Sequence, residues 1–127
     1  MKKLLFVVLV FLSTYVFGQD IAIDTAGKPS PALRSKILKE SKNSGKLDMW
    51  TPIQGHETDG IQIAPGVFAT KREVAIIKWA YNLVAIGITN KKEVISIYAE
   101  LIARDVNSSE LKCLNYGYDQ GIKRAHK

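Results

Sequence analysis

Residues 54–60 read Q-G-H-E-T-D-G and place His56, Glu57 and Asp59 within four positions, between two glycines. An imidazole beside two carboxylates is the side-chain set used for proton transfer and for holding cations. Each such chemistry also demands a spacing. A helix-borne zinc site of the metalloprotease kind needs a second histidine four residues after the first. Position 60 is Gly60, and the other histidine, His126, lies next to the C-terminus. Cys113 is the single cysteine, which excludes zinc held by several thiolates. The alternating acids of a calcium loop are also missing. The expectation is therefore no metal and no cofactor. One internal histidine does not assemble a Ser-His-Asp set, and no glycine-rich phosphate loop with its lysine is present.

Glycoside hydrolysis needs two carboxyl groups flanking the scissile bond. The run His56-Glu57-Thr58, with a glycine nearby, resembles the catalytic segment of plant-type chitinases. That resemblance implies Glu57 as general acid and makes Asp59 a poor partner for it, since side chains two apart on one loop need not flank a substrate; a small hydrolase would otherwise use Glu57 with His56 or Asp59 assisting. In that family the segment ends a long helix within a much larger domain, whereas Pro52 and Gly55 interrupt any helix here. The competing reading is a polar, glycine-bounded surface turn, since Gly, Asp, Thr and His are ordinary turn residues.

A second cluster lies near the C-terminus. At about 100° per residue, Cys113 falls off the apolar stripe Leu111, Leu114, Tyr118, Ile122 and Ala125. It shares a side with Tyr116, Gln120 and Arg124. Two readings follow: an exposed thiol able to link two copies in an oxidising compartment, or a thiol tucked beneath the N-terminal segment. Gly117 and Gly121, four residues apart, either admit a neighbouring helix closely or break this one. With Tyr116 and Cys113 they form the expected interaction residues, and a homodimer through Cys113 is the corresponding partner.

The elements that carry these residues are legible after position 70. Thr70-Lys-Arg-Glu73 has capping-box spacing, and Asn90–Glu93 and Asn107–Glu110 repeat it. Each precedes an apolar-periodic run, predicting helices over 71–87, 91–104 and 108–125. The first is apolar nearly all round and should be central. Short links imply antiparallel packing of successive helices. Before Thr70, Ser30-Pro31 reads as a helix start, and 61–64 against 67–69 as a small hairpin about Pro65-Gly66. The helix after Pro31 carries Leu33, Ile37 and Leu38 among basic residues, and reads as a short surface helix rather than a membrane-binding one. Met49, Trp50, Ile53 and Phe68 are expected to cover the first long helix. The fold class is mainly α: a C-terminal three-helix antiparallel core, with an irregular N-terminal half holding a short helix and a small β-hairpin.

The chain opens M-K-K, then an apolar run over 4–12 and S-T-Y-V-F-G. A spanning helix needs about 20 apolar residues, and this run is shorter. The pattern is that of a cleaved signal peptide over 1–18, with Gln19 as the new N-terminus. The start and the F-G-Q-D exit are similar to leaders of secreted Gram-negative proteins. The organisation expected is leader 1–18, irregular segment 19–69 and core 70–127, with 19–127 one domain. Loss of Lys2 and Lys3 leaves 16 basic against 12 acidic residues, a net +4. That balance, without any recognisable motif, argues against nucleic acid. No stable membrane span is expected after leader removal.

These readings combine into an exported protein, periplasmic or extracellular. Its expected role is a non-enzymatic binding, inhibitor-like or assembly module with a protein partner in the bacterial envelope. The alternative is a small envelope hydrolase that cleaves glycans with Glu57 as acid.

Overall fold

In the computed structural model, which describes residues 21–126, the elements follow the capping signals. Helix α1 (Pro31–Glu40) begins at Ser30, whose hydroxyl accepts from the Leu33 N–H, with Pro31 in the first turn. A single 3-10 turn covers Thr51–Ile53. Strands β1 (Gly60–Ala64) and β2 (Val67–Thr70) pair antiparallel, with an irregularity between Gln62 and Ala64. Helices α2 (Lys71–Ile86), α3 (Lys91–Ile102) and α4 (Ser108–Ala125) complete the chain. The signal peptide expected over 1–18 lies outside the described residues. No helix among the described residues is long and apolar enough to cross a membrane.

Of the three expected capping boxes, those at Thr70–Glu73 and Asn107–Glu110 are complete. At Asn90 only the side chain caps, by accepting from the Glu93 N–H. The Glu93 carboxylate instead meets Arg34 of α1, 3.3 Å away, and Arg34 also reaches Glu100 at 2.9 Å. This couples α1 to α3 through part-exposed ion pairs worth about 0.2–1 kcal/mol each. The α1 charges are thus not all idle, although Ile37 is the helix's one fully buried side chain.

Contacts fix the helix directions. Arg72 meets Glu110, Ala80 lies beside Gly117, and Val84 beside Gly121, so α2 and α4 run parallel. Lys91 meets Asp119 and Tyr98 meets Glu110, so α3 runs antiparallel to α4. The result is the expected up-down-up core, with successive helices antiparallel.

The core centres on α2. Trp79, Ala80, Leu83 and Ile76 pack with Val94, Ile97 and Tyr98 of α3, Leu114 of α4, Ile88 and Ile37. Trp50, Trp79 and Tyr98 form an aromatic trio, with the Trp79 and Tyr98 centroids 5.5 Å apart and edge-on. The Trp79 indole N–H donates to Ser41 Oγ at 2.9 Å, and that hydroxyl donates to the Ile37 carbonyl at 2.7 Å. Met49 and Trp50 cover the core as expected.

Two expectations need correction. Phe68 does not cover α2; it is 69 % exposed. It sits opposite Gln62, while Ile61 sits opposite Ala69. Side chains alternate across a strand, so turning Ile61 and Ala69 toward the helix turns Phe68 away. The buried face of α4 is also rotated from the apolar stripe. It consists of Glu110, Cys113, Leu114, Gly117 and Gly121, whereas Leu111 and Ala125 are exposed. Small residues let two helix axes approach, and this close approach decides which face of α4 turns inward.

Candidate functional site

The 54–60 loop is shaped by its backbone. Gly55 adopts φ +87°, a region open chiefly to glycine. The His56 N–H donates to the Ile53 carbonyl at 2.8 Å, and the Asp59 N–H to the His56 carbonyl at 3.0 Å. The loop's own carbonyls then accept from the first turn of α2. Glu57 O takes the Arg72 N–H at 3.0 Å, and Asp59 O takes the Lys71 N–H at 2.9 Å. A helix leaves its first four N–H groups without intrahelical partners. Here the loop satisfies two, and the Thr70 hydroxyl takes a third from Glu73.

The side chains do something separate. His56 Nδ1 lies 2.9 Å from Asp59 Oδ2, and Lys71 Nζ lies 3.9 Å from the same oxygen. The imidazole and the Asp59 carboxylate are 66 % and 50 % exposed, so the pair stands in water. The Glu57 carboxylate is bonded to neither, and makes no hydrogen bond or ion pair with any described residue. Among the described residues, no three His, Cys, Asp or Glu side chains converge in a way that could hold a metal. His126 closes α4, its N–H donating to the Ile122 and Lys123 carbonyls.

The C-terminal candidates separate. Tyr116 is half exposed, but Cys113, Gly117 and Gly121 are buried. The two glycines face α2 and not a partner: their missing side chains are replaced by the Ile77 carbonyl and by Val84. Helix α4 continues unbroken past both. Cys113 lies within the core cluster, so the exposed-thiol reading gives way to the buried one. Burial pushes its thiol up, and the Glu73 carboxylate adds to this.

Two carboxylates absent from the sequence-based candidates are the most strongly perturbed. Glu110 has no solvent exposure. Arg104 grips it with two nitrogens at 2.9 and 2.7 Å, Arg72 Nη2 lies at 2.7 Å, and the Asn107 N–H donates at 3.0 Å. The Arg104 hydrogen bonds, against the opposing effect of burial, hold the Glu110 carboxyl down to about 2, with help from Asn107 and Arg72. Burial and the neighbouring Glu110 carboxylate push the Tyr98 phenol up to about 12. Asp48 is the second case. Burial would raise it, but the Thr51 hydroxyl and the Thr51, Ser44 and Trp50 N–H groups outweigh that and leave it at about 2. Its role is to tie the loop ahead of the 3-10 turn. In the sequence Glu110 has the place of a cap only; the signal for more is its position on the same helical face as Cys113, Leu114 and Gly117.

Beside the hairpin runs a groove of about 240 Å3, walled by Met49, Ile53, Ile61 and Val74 and lined also by Lys71, Lys78 and Asp48, whose carboxylate is taken up by Ser44, Trp50 and Thr51. Four of the exposed large apolar side chains, Ile61, Ile63, Val67 and Phe68, belong to that hairpin.

No family model, curated protein or solved structure matches this chain.

Proposed function

We propose that this is an exported bacterial protein, periplasmic or extracellular, acting as a non-enzymatic binding, inhibitor-like or assembly module of the cell envelope. The observation that carries the reading is the hairpin. It is a two-stranded sheet with no third strand among the described residues, and Ile61, Ile63, Val67 and Phe68 are exposed on it. An open edge with apolar side chains is suited to accept an extended segment by strand addition. The occupant we assign is an acidic, extended segment of an envelope protein. Asp48, the one acidic lining residue, is hydrogen-bonded within its own loop, whereas Lys78 makes no ion pair with a described residue and Lys71 has only the long contact with Asp59, so both lysines can meet carboxylates. The export reading rests on the leader at 1–18. Glu57 is half-buried and has no second acid or base bonded to it among the described residues, which favours binding over glycan cleavage.

Site-specific photocrosslinking from Gln62 in cells tests this. The expected result is one crosslinked envelope protein, lost in Phe68→Asp and retained in Glu57→Gln. Release of reducing ends from purified peptidoglycan, abolished by Glu57→Gln, would overturn the proposal. So would a crosslinking pattern indifferent to Phe68→Asp.

A further inference from the structure

We infer a second binding site, separate from the hairpin, for a carboxylate carried on a small apolar group. It is a pocket of about 250 Å3 where the end of α1, the loop at Trp50, the first turn of α2 and the end of α3 meet. Trp50, Leu101 and Ile102 supply apolar walls over Tyr98, and Lys42 and Arg72 bring two cations to the same space.

The charge balance is what selects an anion. Glu110 is engaged through both oxygens by Arg104 and also receives Arg72. One carboxylate thus faces two guanidinium groups, a local excess of one positive charge. Arg72 reaches Glu110 through Nη2 alone, so its Nε and Nη1 have no partner among the described residues. Lys42 is exposed, makes no ion pair with a described residue and adds a second positive charge. None of the residues lining the pocket is acidic. An anion placed between Lys42 and Arg72 would meet unsatisfied donors in a partly apolar setting, where charge-assisted hydrogen bonds are strong.

Size narrows the occupant. Pockets for whole small-molecule ligands begin at about 300 Å3, so this one takes a single aromatic ring or branched chain with its carboxylate. The aromatic wall at Trp50 favours a ring. Such a group is found both in a free small organic acid and in the C-terminal residue of a peptide.

The test is a titration of the mature chain followed by amide and indole NMR shifts. The probes are 3-phenylpropionate, N-acetylphenylalanine and the neutral amide of each. At least one carboxylate should move the Trp50 indole and the Ile102 amide, and its amide should bind about tenfold more weakly or worse. Lys42→Glu should weaken that carboxylate by about threefold or more. Lys123→Glu, the same charge change on the exposed last turn of α4 and away from this pocket, should not. The spectra themselves report whether each variant is folded. N-acetylphenylalanine binding at least as tightly as 3-phenylpropionate assigns the site to peptide C-termini; the reverse order assigns it to free acids. Absence of shifts at Trp50 and Ile102 with both carboxylates overturns the inference. Amides that match their acids, or equal weakening by Lys42→Glu and Lys123→Glu, overturn it as well.

Discussion

A Cβ built on Gly117 would stand 2.2 Å from the carbonyl oxygen of Ile77, so α4 lies against the backbone of α2 at that point. Glycine in a helix interior costs about 1 kcal/mol relative to alanine, and here that cost secures a close approach between two core helices. Gly117→Ala should therefore destabilise the protein despite better helix propensity, by about 1–3 kcal/mol from overpacking. At Gly121 the new atom would meet the Val84 side chain at 2.7 Å and not a carbonyl, and side chains yield more readily than backbone. Urea denaturation should rank Gly117→Ala below Gly121→Ala. A Gly117→Ala protein as stable as wild type would disprove the close packing.

The buried Glu110 should govern acid stability. Its folded value of about 2 lies below its ordinary 4.5, and Asp48, also at about 2, lies below 3.8. The unfolded chain therefore takes up protons first as pH falls. Stability should be at its plateau above about pH 5 and decline as pH drops toward 2. Equilibrium unfolding between pH 6 and pH 2 reads this directly. Glu110→Gln should flatten the slope, leaving mainly the Asp48 share. An unchanged slope would exclude Glu110 as the responsible group.

At neutral pH the same substitution breaks a buried ion cluster from one side. Such losses run to about 3–5 kcal/mol. Arg72 and Arg104 are part-exposed and can turn to water, which places the expected cost of Glu110→Gln toward the lower end. A double-mutant cycle with Arg104→Gln should show strong coupling, because Arg104 makes two hydrogen bonds to the carboxylate. Additive effects would argue that the cluster is not one unit.

Ser41 joins α1 to the aromatic core through the Trp79 indole. Ser41→Ala leaves that buried N–H without its acceptor, a penalty of about 1–3 kcal/mol. Trp79 fluorescence and the unfolding midpoint check it. Ser41→Ala combined with Trp79→Phe should cost less than the sum of the two, since no donor is then stranded.

The buried Cys113 thiol predicts slow chemistry. In the native state it should resist a thiol reagent, and it should react at once in denaturant. Burial and its raised thiol value both act in this direction. Fast native labelling, or a disulfide-linked dimer on non-reducing gels, would revive the exposed-thiol reading.

By itself the sequence determined the elements and their order. Caps at Ser30, Thr70, Asn90 and Asn107 act within one helical turn, so capping-box spacing located three helix starts and the Ser30-Pro31 pair a fourth. The hairpin and the up-down-up core followed from turn residues and short links. Only the tertiary structure decided which way each element faces. Hydrophobic periodicity scores large side chains and is blind to glycine, yet close approach at Gly117 and Gly121 set the rotation of α4. That rotation buried Cys113 and drew Glu110 between two arginines from other elements. Alternation of side chains across β2 left Phe68 in water once Ala69 turned inward. In the His56–Asp59 run, the side chains suggested chemistry, but the fold engages the carbonyls of Glu57 and Asp59 to start α2. Backbone hydrogen bonds of this kind depend on where the chain returns in space, and no local run of residue types encodes that.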